Sequence, residues 1–419
     1  MKKLLLVFAA IFFTAADSFA QQSLTIEKCF ELAKQNYPLI KRNKLISQSK
    51  EYTVENASKG WLPQINISAQ ATYQSEVTQI PISIPNLSIT PLSKDQYKVL
   101  ANINQAIYDG GMISNQKKIA AIEAETELQK NEVELEKLKD RITQIFFGII
   151  LTDQQLKQTQ LTKNDVENGL KKAEAQLKFG TIFQSNVDLM KAQLINLEQK
   201  QIELQSVKSN FIQILSYFID LNLDENTLFI TPERLLANLE NNRPELKLFN
   251  LQQKLSESQK SLIKGKNIPK LGAFVQAGYG KPGLNMLKNE FAPIFIGGLQ
   301  LNIPISGFYT RKNELALIDI QQQEIDVQKE NFLFNQKFST IQNNNDLEKI
   351  QKLIDKDSEV VPLRESIKKA ALAQLENGVI NTSDYLREVN AEEQAKVSKI
   401  QHEIQYLLTQ YSLKNQLGN

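Results

Sequence analysis

The feature that most constrains this chain is a strict alternation of apolar and polar residues at positions 63–73, PQINISAQATY. Successive side chains of a strand point to opposite faces, so the pattern predicts a strand with one apolar and one polar face. Its length and lack of charge match an outer-membrane strand, which needs about 9–11 residues. An edge strand of a soluble sheet would show the same alternation. The apolar positions are Ile65, Ile67, Ala69, Ala71 and Tyr73.

The stretch occurs a second time at positions 269–279, PKLGAFVQAGY. The same offset of 206 positions relates several landmarks, and one constant offset over such a span indicates an internal duplication. We therefore interpret the chain as one structural unit written twice. The related positions are Pro38 and Pro244, Pro63 and Pro269, Gln70 and Gln276, and Tyr73 and Tyr279.

The N-terminus has the pattern of a secretory signal peptide at positions 1–20. Two lysines precede an apolar run, and Ser18-Phe19-Ala20 provides a small-x-Ala cleavage site. The run is shorter than the roughly 20 residues of a spanning helix, which disfavours a membrane anchor. We expect the mature protein to lie outside the cytoplasm. Its single cysteine, Cys29, has no partner in its own chain and is expected to be a packed core thiol.

Both copies follow one order: a helix, two strands and a long helical hairpin. We expect the first helix to be interrupted near Tyr37-Pro38, where proline removes a backbone donor. Repeat 1 covers 21–220, with strands at 63–74 and 97–108 and a hairpin at 110–220. A linker follows at 221–242. Repeat 2 covers 243–419, with strands at 269–280 and 293–305 and a hairpin at 309–416.

The hairpins carry narrow apolar stripes with a seven-residue period, which predicts antiparallel helices packed by knobs into holes. A helix from 112 to 179 would be roughly 100 Å long. Pro362 predicts a kink or a non-helical break between Val360 and Leu363 in the second hairpin. The first stripe is Ala121, Leu128, Leu135, Ile142, Ile149 and Leu156, and the returning stripe is Met190, Leu197, Leu204, Phe211 and Phe218.

Four membrane-type strands cannot close a barrel, because open edges in lipid leave backbone groups unpaired. Three chains would supply twelve strands, which closes. The predicted fold class is therefore an α+β membrane protein in which a trimeric 12-stranded β-barrel, four strands per chain, is continued by a long α-helical barrel of coiled-coil hairpins.

In this order of elements, and over nearly all of the mature chain, the sequence resembles the TolC-like outer-membrane efflux proteins. The hairpin ends carry the most specific likeness, a glycine followed six residues later by an acidic residue and then a hydrophobic one. The second copy has Gly378 and Asp384 in these positions, whereas the first has Gly180 and Asn186. Ser185 and Asp188 also form the pattern of a capping box.

The resemblance implies that the hairpin ends form a periplasmic gate. Asp384 would lie at its aperture in three copies, with Asn186 and Asp188 at the other end loop. Relatives often carry a second aspartate three residues on, but this chain has Arg387, which could pair with Asp384 and neutralise the ring. A first-turn residue satisfying the helix dipole is the alternative role for Asp384. The resemblance also implies adaptor docking at Gly180, Thr181, Ile182, Phe183, Gly378, Val379, Ile380 and Asn381.

No enzyme signature, cofactor motif or metal-binding cluster stands out in the sequence, and the balanced charge of +2 does not favour nucleic acid. The single histidine, His402, is expected to be an ordinary helix residue. The resemblance implies a homotrimeric duct in the outer membrane, working with a periplasmic adaptor and an inner-membrane pump of RND or ABC type. Its cargo, whether drugs, metals or peptides, stays open. The alternative is a periplasmic coiled-coil structural or adaptor protein that spans no membrane.

Overall fold

The structure is a computed structural model that describes residues 23–78, 91–235 and 240–419. The predicted signal peptide and most of the proline-rich loop between the first two strands lie outside these residues. The helices are α1 (Ile26–Asn36), α2 (Lys41–Ser58), α3 (Met112–Lys178), α4 (Gln184–Ile219), α5 (Pro244–Lys266), α6 (Phe308–Glu376) and α7 (Thr382–Gln416). The strands are β1 (Ser23–Leu24), β2 (Gln64–Tyr73), β3 (Asp95–Tyr108), β4 (Leu228–Phe229), β5 (Lys270–Lys281) and β6 (Ala292–Asn302).

The four long strands form one antiparallel sheet in the order β2-β3-β5-β6. The two copies of the duplicated strand pair therefore meet in the middle of the sheet, where β3 of the first copy pairs with β5 of the second. Strands β2 and β6 form its two edges.

Over the middle of one face, the register brings apolar residues opposite apolar residues on all four strands. Ile67 lies opposite Ala101, Ala101 opposite Ala277, and Ala277 opposite Phe295. Residues directly opposite each other share a face, so the alternation predicted for β2 continues over all four strands. This apolar face is solvent-exposed in the single chain, with Ile67 73% and Phe295 69% exposed.

Proline acts differently at two places in the helices. Before Pro38 the chain leaves the helix, because the residue before a proline is disfavoured in helical geometry: α1 ends at Asn36, and Tyr37 is extended. Of the two alternatives predicted at Pro362, the non-helical break is wrong, since α6 is one continuous helix through this residue, and the kink stays a prediction. Pro362 is exposed, so water can reach the Ser358 carbonyl that the proline leaves without its helical donor. None of the described helices is both long enough and apolar enough to cross a membrane.

The chain divides into two compact units. One comprises the described residues of Met1–Ile40, Asn131–Pro244 and Phe332–Asn419, and the other comprises Lys41–Lys130 and Glu245–Asn331. The four-stranded sheet belongs to the second unit. The first unit contains both hairpin ends and two separate apolar cores.

The larger core lies where α1, the middle of α3 and the end of α4 meet. Phe146 and Phe147 are fully buried in it, and the short parallel pair of β1 and β4 adds Phe229 to their edges. Cys29 is buried in this core, as the sequence predicts. Burial, and secondarily the nearby Glu27 carboxylate, raise the pKa of the Cys29 thiol to about 12.

Candidate functional site at the hairpin ends

The two helical hairpins turn in the same way. We call residues 176–188 tip 1 and residues 374–388 tip 2. In tip 1 the backbone N–H of Gly180 donates to Leu177 and that of Thr181 to Gln176, which is the paired hydrogen bonding of a Schellman turn. In tip 2 the corresponding donors, Gly378 and Val379, bond to Leu375 and Gln374.

A glycine is required at this position in both turns. Gly180 has a φ of 72° and Gly378 a φ of 69°, in the left-handed region that other residues adopt at a cost. Nothing lies within 4 Å of where a side chain would begin at either glycine. The requirement is therefore set by the backbone conformation and not by crowding.

The starts of the two returning helices differ. The N-cap of α7 is Asn381, whose side chain accepts a hydrogen bond from the backbone N–H of Asp384 at 2.9 Å. The N-cap of α4 is Phe183, which makes no such bond. The predicted capping box of Ser185 and Asp188 is wrong, because Ser185 already lies inside the helix.

The two tips together line an open groove of about 1060 Å³. Its sides are partly apolar: Phe183 and Val379 lie on it and are 81% and 70% exposed. Apolar side chains grouped on one exposed surface are typical of interaction sites. The predicted docking residues lining the groove are Thr181, Ile182, Phe183, Gly378, Val379, Ile380 and Asn381, together with Asn186 and Asp384 of the predicted gate.

The predicted pairing of Asp384 with Arg387 is present in tip 2. Arg387 Nη1 donates to Asp384 Oδ1 at 3.2 Å, and Arg387 Nε donates to Glu388 Oε1 at 3.2 Å. Glu388 in turn pairs with Arg364 of α6 at 3.4 Å. Arg387 is 70% exposed, so each contact is weak by itself. The four charges form an alternating chain from the groove to the outgoing helix.

Tip 1 has no counterpart of this chain in its described contacts. Asp188 accepts a hydrogen bond from Gln184 Nε2 at 2.8 Å, a neutral partner one turn earlier. Asn186, which takes the place of the acid, donates its backbone N–H to the Phe183 carbonyl. The structure thus gives the two tips the same turn but different polar surroundings.

A small apolar core joins the two hairpins directly behind the tips. Tyr385 is its largest member, 2% exposed, and packs beside Met190 against the space left by Gly169. Burial, reinforced by the carboxylates of Asp165, Glu392 and Glu376, raises the pKa of Tyr385 to about 12.

A partly buried charge cluster adjoins this core and connects three helices. Lys368 of α6 contacts Asp165 of α3 at 2.6 Å and Glu392 of α7 at 3.1 Å. Glu392 is almost fully buried and also contacts Lys396 at 2.6 Å. Burial lowers the pKa of Lys368, but its hydrogen bonds to the two carboxylates outweigh that effect and raise it.

Sequence reasoning took position 385 only as the hydrophobic residue of the tip motif and did not predict the burial of Tyr385. It missed the charge cluster, since scattered lysines and glutamates on long helices look like solvated surface. The cluster could have been sought by asking which charges fall on the apolar stripe. Reasoning also gave His402 no partner, whereas its Nδ1 lies 2.6 Å from Asp357 Oδ2, linking α7 to α6. Within the part of the chain that the structure describes, no His, Cys, Asp and Glu side chains are grouped to hold a metal ion.

Comparison with solved structures places this architecture in a known class. VceC, an outer-membrane protein of Vibrio cholerae, is 14% identical, with a TM-score of 0.69, over 94% of this chain and 96% of that one. The open outer-membrane channel MtrE of Neisseria gonorrhoeae is 13% identical, with a TM-score of 0.68, over 94% and 89%. The CmeC outer-membrane channel of Campylobacter jejuni is 14% identical, with a TM-score of 0.62, over 94% and 85%. At these identities the likeness shows the fold.

The sequence itself supports the same assignment. Residues 30–215 match the outer membrane efflux protein family. A comparison with curated proteins finds no match. The family match and the shared fold together confirm the resemblance to the TolC-like outer-membrane efflux protein family.

Proposed function

We propose that three copies of this chain form an outer-membrane channel continued by a periplasmic tunnel. The carrying observation is the four-stranded sheet, whose apolar face is continuous in register and uncovered in the single chain. Three such sheets joined at edges β2 and β6 would close a 12-stranded barrel and leave no edge in lipid. The apolar face would then meet the acyl chains, and the opposite face the water-filled interior.

The helical hairpins would extend this barrel into the periplasm. Apolar side chains remain exposed along α4 and α6, at the spacing of one helix face, and a neighbouring copy would cover them. Packing between copies therefore has a surface available in both hairpins. These side chains include Ile195, Ile202, Leu317, Ile320, Val327, Phe334 and Ile341.

The channel would act as a passive duct in a tripartite efflux or type I secretion system. Small molecules, or exported peptides and proteins, would diffuse along it, while an inner-membrane pump of RND or ABC type supplies energy and a periplasmic adaptor joins the parts. The exposed groove of the two tips is the proposed adaptor surface. Neither role requires the chain to be an enzyme or to hold a cofactor.

The gate would lie at tip 2, repeated three times about the axis. Three aspartates brought together would repel one another, but Arg387 offsets the charge of each Asp384. We therefore expect a gate held by contacts between helices, with little net negative charge at its mouth.

Single-channel conductance of the purified mature protein in a planar bilayer tests the proposal. We expect discrete steps from a particle of three chains, larger in the variant Asp384→Asn/Arg387→Ala than in the wild type. The matched control is Asp346→Asn/Lys349→Ala, which removes another exposed ion pair of the same i,i+3 spacing on α6 and should conduct like the wild type.

Two other results of the conductance measurement would contradict the proposal in whole or in part. Silence of all three proteins, with a monomer that salt extracts from membranes, would favour the periplasmic coiled-coil alternative. Steps that are the same in all three would keep the duct but remove the gating role of Asp384 and Arg387.

A further inference from the structure

One end of the four-stranded sheet carries an unusual concentration of basic residues. The pairing of Gln64 with Asn104, and of Lys270 with Asn302, shows that the start of β2, the end of β3, the start of β5 and the end of β6 lie at the same end. The helices α2, α3, α5 and α6 join the strands there. We call the basic residues of the connections and helices next to this end the basic collar: Lys59, Lys117, Lys118, Lys264, Lys266, Arg311 and Lys312.

The acidic residues of the same region are already engaged. Asp109 is buried and accepts the backbone N–H groups of Gly111 and Ile113 at 2.8 and 2.6 Å. Glu55 pairs with Lys59 at 3.0 Å, and Glu314 with Lys266 at 3.6 Å. The remaining collar charges are thus not neutralised locally. In the described residues, no ion pair involves Lys117, Lys118, Lys264 or Lys312.

Exposed aromatic side chains lie at the same end of the sheet. Trp61 precedes β2, Tyr108 ends β3, and Tyr309 lies in the first turn of α6 and is 81% exposed. Arg311 lies over the ring of Phe308 at 5.7 Å. Aromatic rings beside lysine and arginine are the side chains that anchor proteins at the boundary between acyl chains and headgroups.

The depth of the collar fits a headgroup layer. Lys312 is in the second turn of α6 and Lys117 in the second turn of α3, which places them about 6–8 Å along each helix from its start. The polar layer on each side of a bilayer is of similar depth, since roughly 30 Å of hydrocarbon grows to about 40–45 Å with headgroups. The collar would therefore meet lipid phosphates when the sheet spans the hydrocarbon.

We propose that the basic collar binds the headgroups of anionic phospholipids in the leaflet facing the helices. This rests on the proposed function, in which the sheet spans the outer membrane. The unpaired ammonium groups complement lipid phosphates in charge, and the exposed aromatic residues continue the apolar face up to them. Anionic phospholipid then holds the channel at a fixed depth.

The test uses the full mature protein in neutral detergent, with thermal unfolding followed during titration with phosphatidylglycerol or with phosphatidylcholine of the same acyl chains. The wild type should be stabilised more by phosphatidylglycerol. The variant Lys117→Gln/Lys118→Gln/Lys264→Gln/Lys312→Gln should lose this preference. At low ionic strength we expect its apparent affinity for phosphatidylglycerol to fall at least about tenfold, since each lysine near an anionic surface contributes about fivefold.

The control variant is Lys171→Gln/Lys178→Gln/Lys337→Gln/Lys369→Gln, which removes the same charge from exposed positions of the other unit. It should keep the preference of the wild type. An equal response of the wild type to both lipids, or a collar variant with unchanged affinity, would overturn the proposal. So would equal stabilisation by soluble glycerol phosphate, which would indicate a site for free phosphate.

These outcomes are separable from failure of the proposed function. A wild type that fractionates with the outer membrane and conducts, but shows no lipid preference, contradicts only the collar. A wild type that remains in the soluble periplasmic fraction contradicts the channel itself.

Discussion

Tip 1 and tip 2 share a turn and a buried apolar residue seven positions after its glycine, but they differ in the polar contacts at the start of the following helix. Both end their outgoing helix with a glycine in the left-handed conformation. Beyond it, tip 2 has a side-chain cap, a chain of alternating charges and a buried tyrosine, whereas tip 1 has an uncapped helix start and two exposed phenylalanines, Phe179 and Phe183. The duplication has kept the geometry of the turn, but tip 2 has the side-chain cap and the ion pairs, whereas tip 1 exposes the larger aromatic surface.

The largest expected effect comes from the tyrosine that fastens tip 2. Tyr385→Ala should lower the opening free energy of tip 2 by about 3–5 kcal/mol, because a large buried ring is replaced by a cavity. Amide hydrogen exchange of the detergent-solubilised protein measures this locally. Tyr385→Phe is the control, since no described hydrogen bond involves the hydroxyl, and should change little.

The counterpart in tip 1 sharpens the comparison. Val187 occupies the equivalent position, is also buried, and loses only two methyl groups on Val187→Ala. We expect a loss of about 1.5 kcal/mol. An equal or larger loss there would contradict the assignment of tip 2 as the more firmly fastened end.

The two turn glycines should behave alike. Gly180→Ala and Gly378→Ala each place a side chain on a left-handed residue, which costs about 1–2 kcal/mol, and open space surrounds both. Exchange rates of the amides in the two turns provide the measurement. A cost confined to one tip would show that the turns are not equivalent in solution.

A smaller difference is expected at the helix starts, because α7 has a side-chain cap and α4 has none. Asn381→Ala should destabilise the start of α7 by about 1 kcal/mol, because the Asp384 N–H loses its acceptor. Ser185→Ala should leave α4 nearly unchanged, because Ser185 does not cap that helix. Comparable losses at the two sites would restore the capping box that the sequence predicts for tip 1.

The smallest expected effect comes from the charged contacts that join the two helices of each hairpin. Asp153 joins the limbs of hairpin 1 through Lys208 at 2.7 Å, where hairpin 2 uses Asp357 and His402. Burial opposes ionisation of Asp153, but hydrogen bonds from Lys157 and Lys208 outweigh it and lower its pKa. A carboxylate with a lowered folded-state pKa stabilises the protein above its unfolded pKa, near 4, and this stability is lost on further acidification.

We therefore expect Asp153→Asn to cost up to about 1 kcal/mol at pH 6 and clearly less at pH 3, because the stabilisation is lost as the pH falls through the lowered folded-state pKa. Hydrogen exchange of α3 and α4 at the two pH values, wild type against variant, is the measurement. A difference as large at pH 3 as at pH 6 would mean that packing, and not charge, explains the loss.

The regular elements were predictable because their signals repeat. The alternation around Ile67 and the seven-residue spacing around Ile142 each impose one period over many residues. The strands and the long helices therefore lie close to their predicted positions. The glycine turns were predictable because few other residues adopt that backbone conformation.

The rest depended on tertiary contacts. Nothing adjacent in sequence marks Tyr385 as the residue that joins the hairpins, or Glu392 as a buried carboxylate held by two lysines. The start of α4 at Gln184, ahead of Ser185, and the continuation of α6 through Pro362 also differ from what local preference predicts.

The buried thiol of Cys29 makes the natural sequence a ready background for labelling. A protonated, inaccessible sulfur reacts slowly with maleimide or methanethiosulfonate reagents, so a cysteine introduced at Phe183 or Val379 would carry the only fast-reacting group on each chain. Spin labels or fluorophores placed there could report the separation of the tips as they open and close, without first replacing the native cysteine.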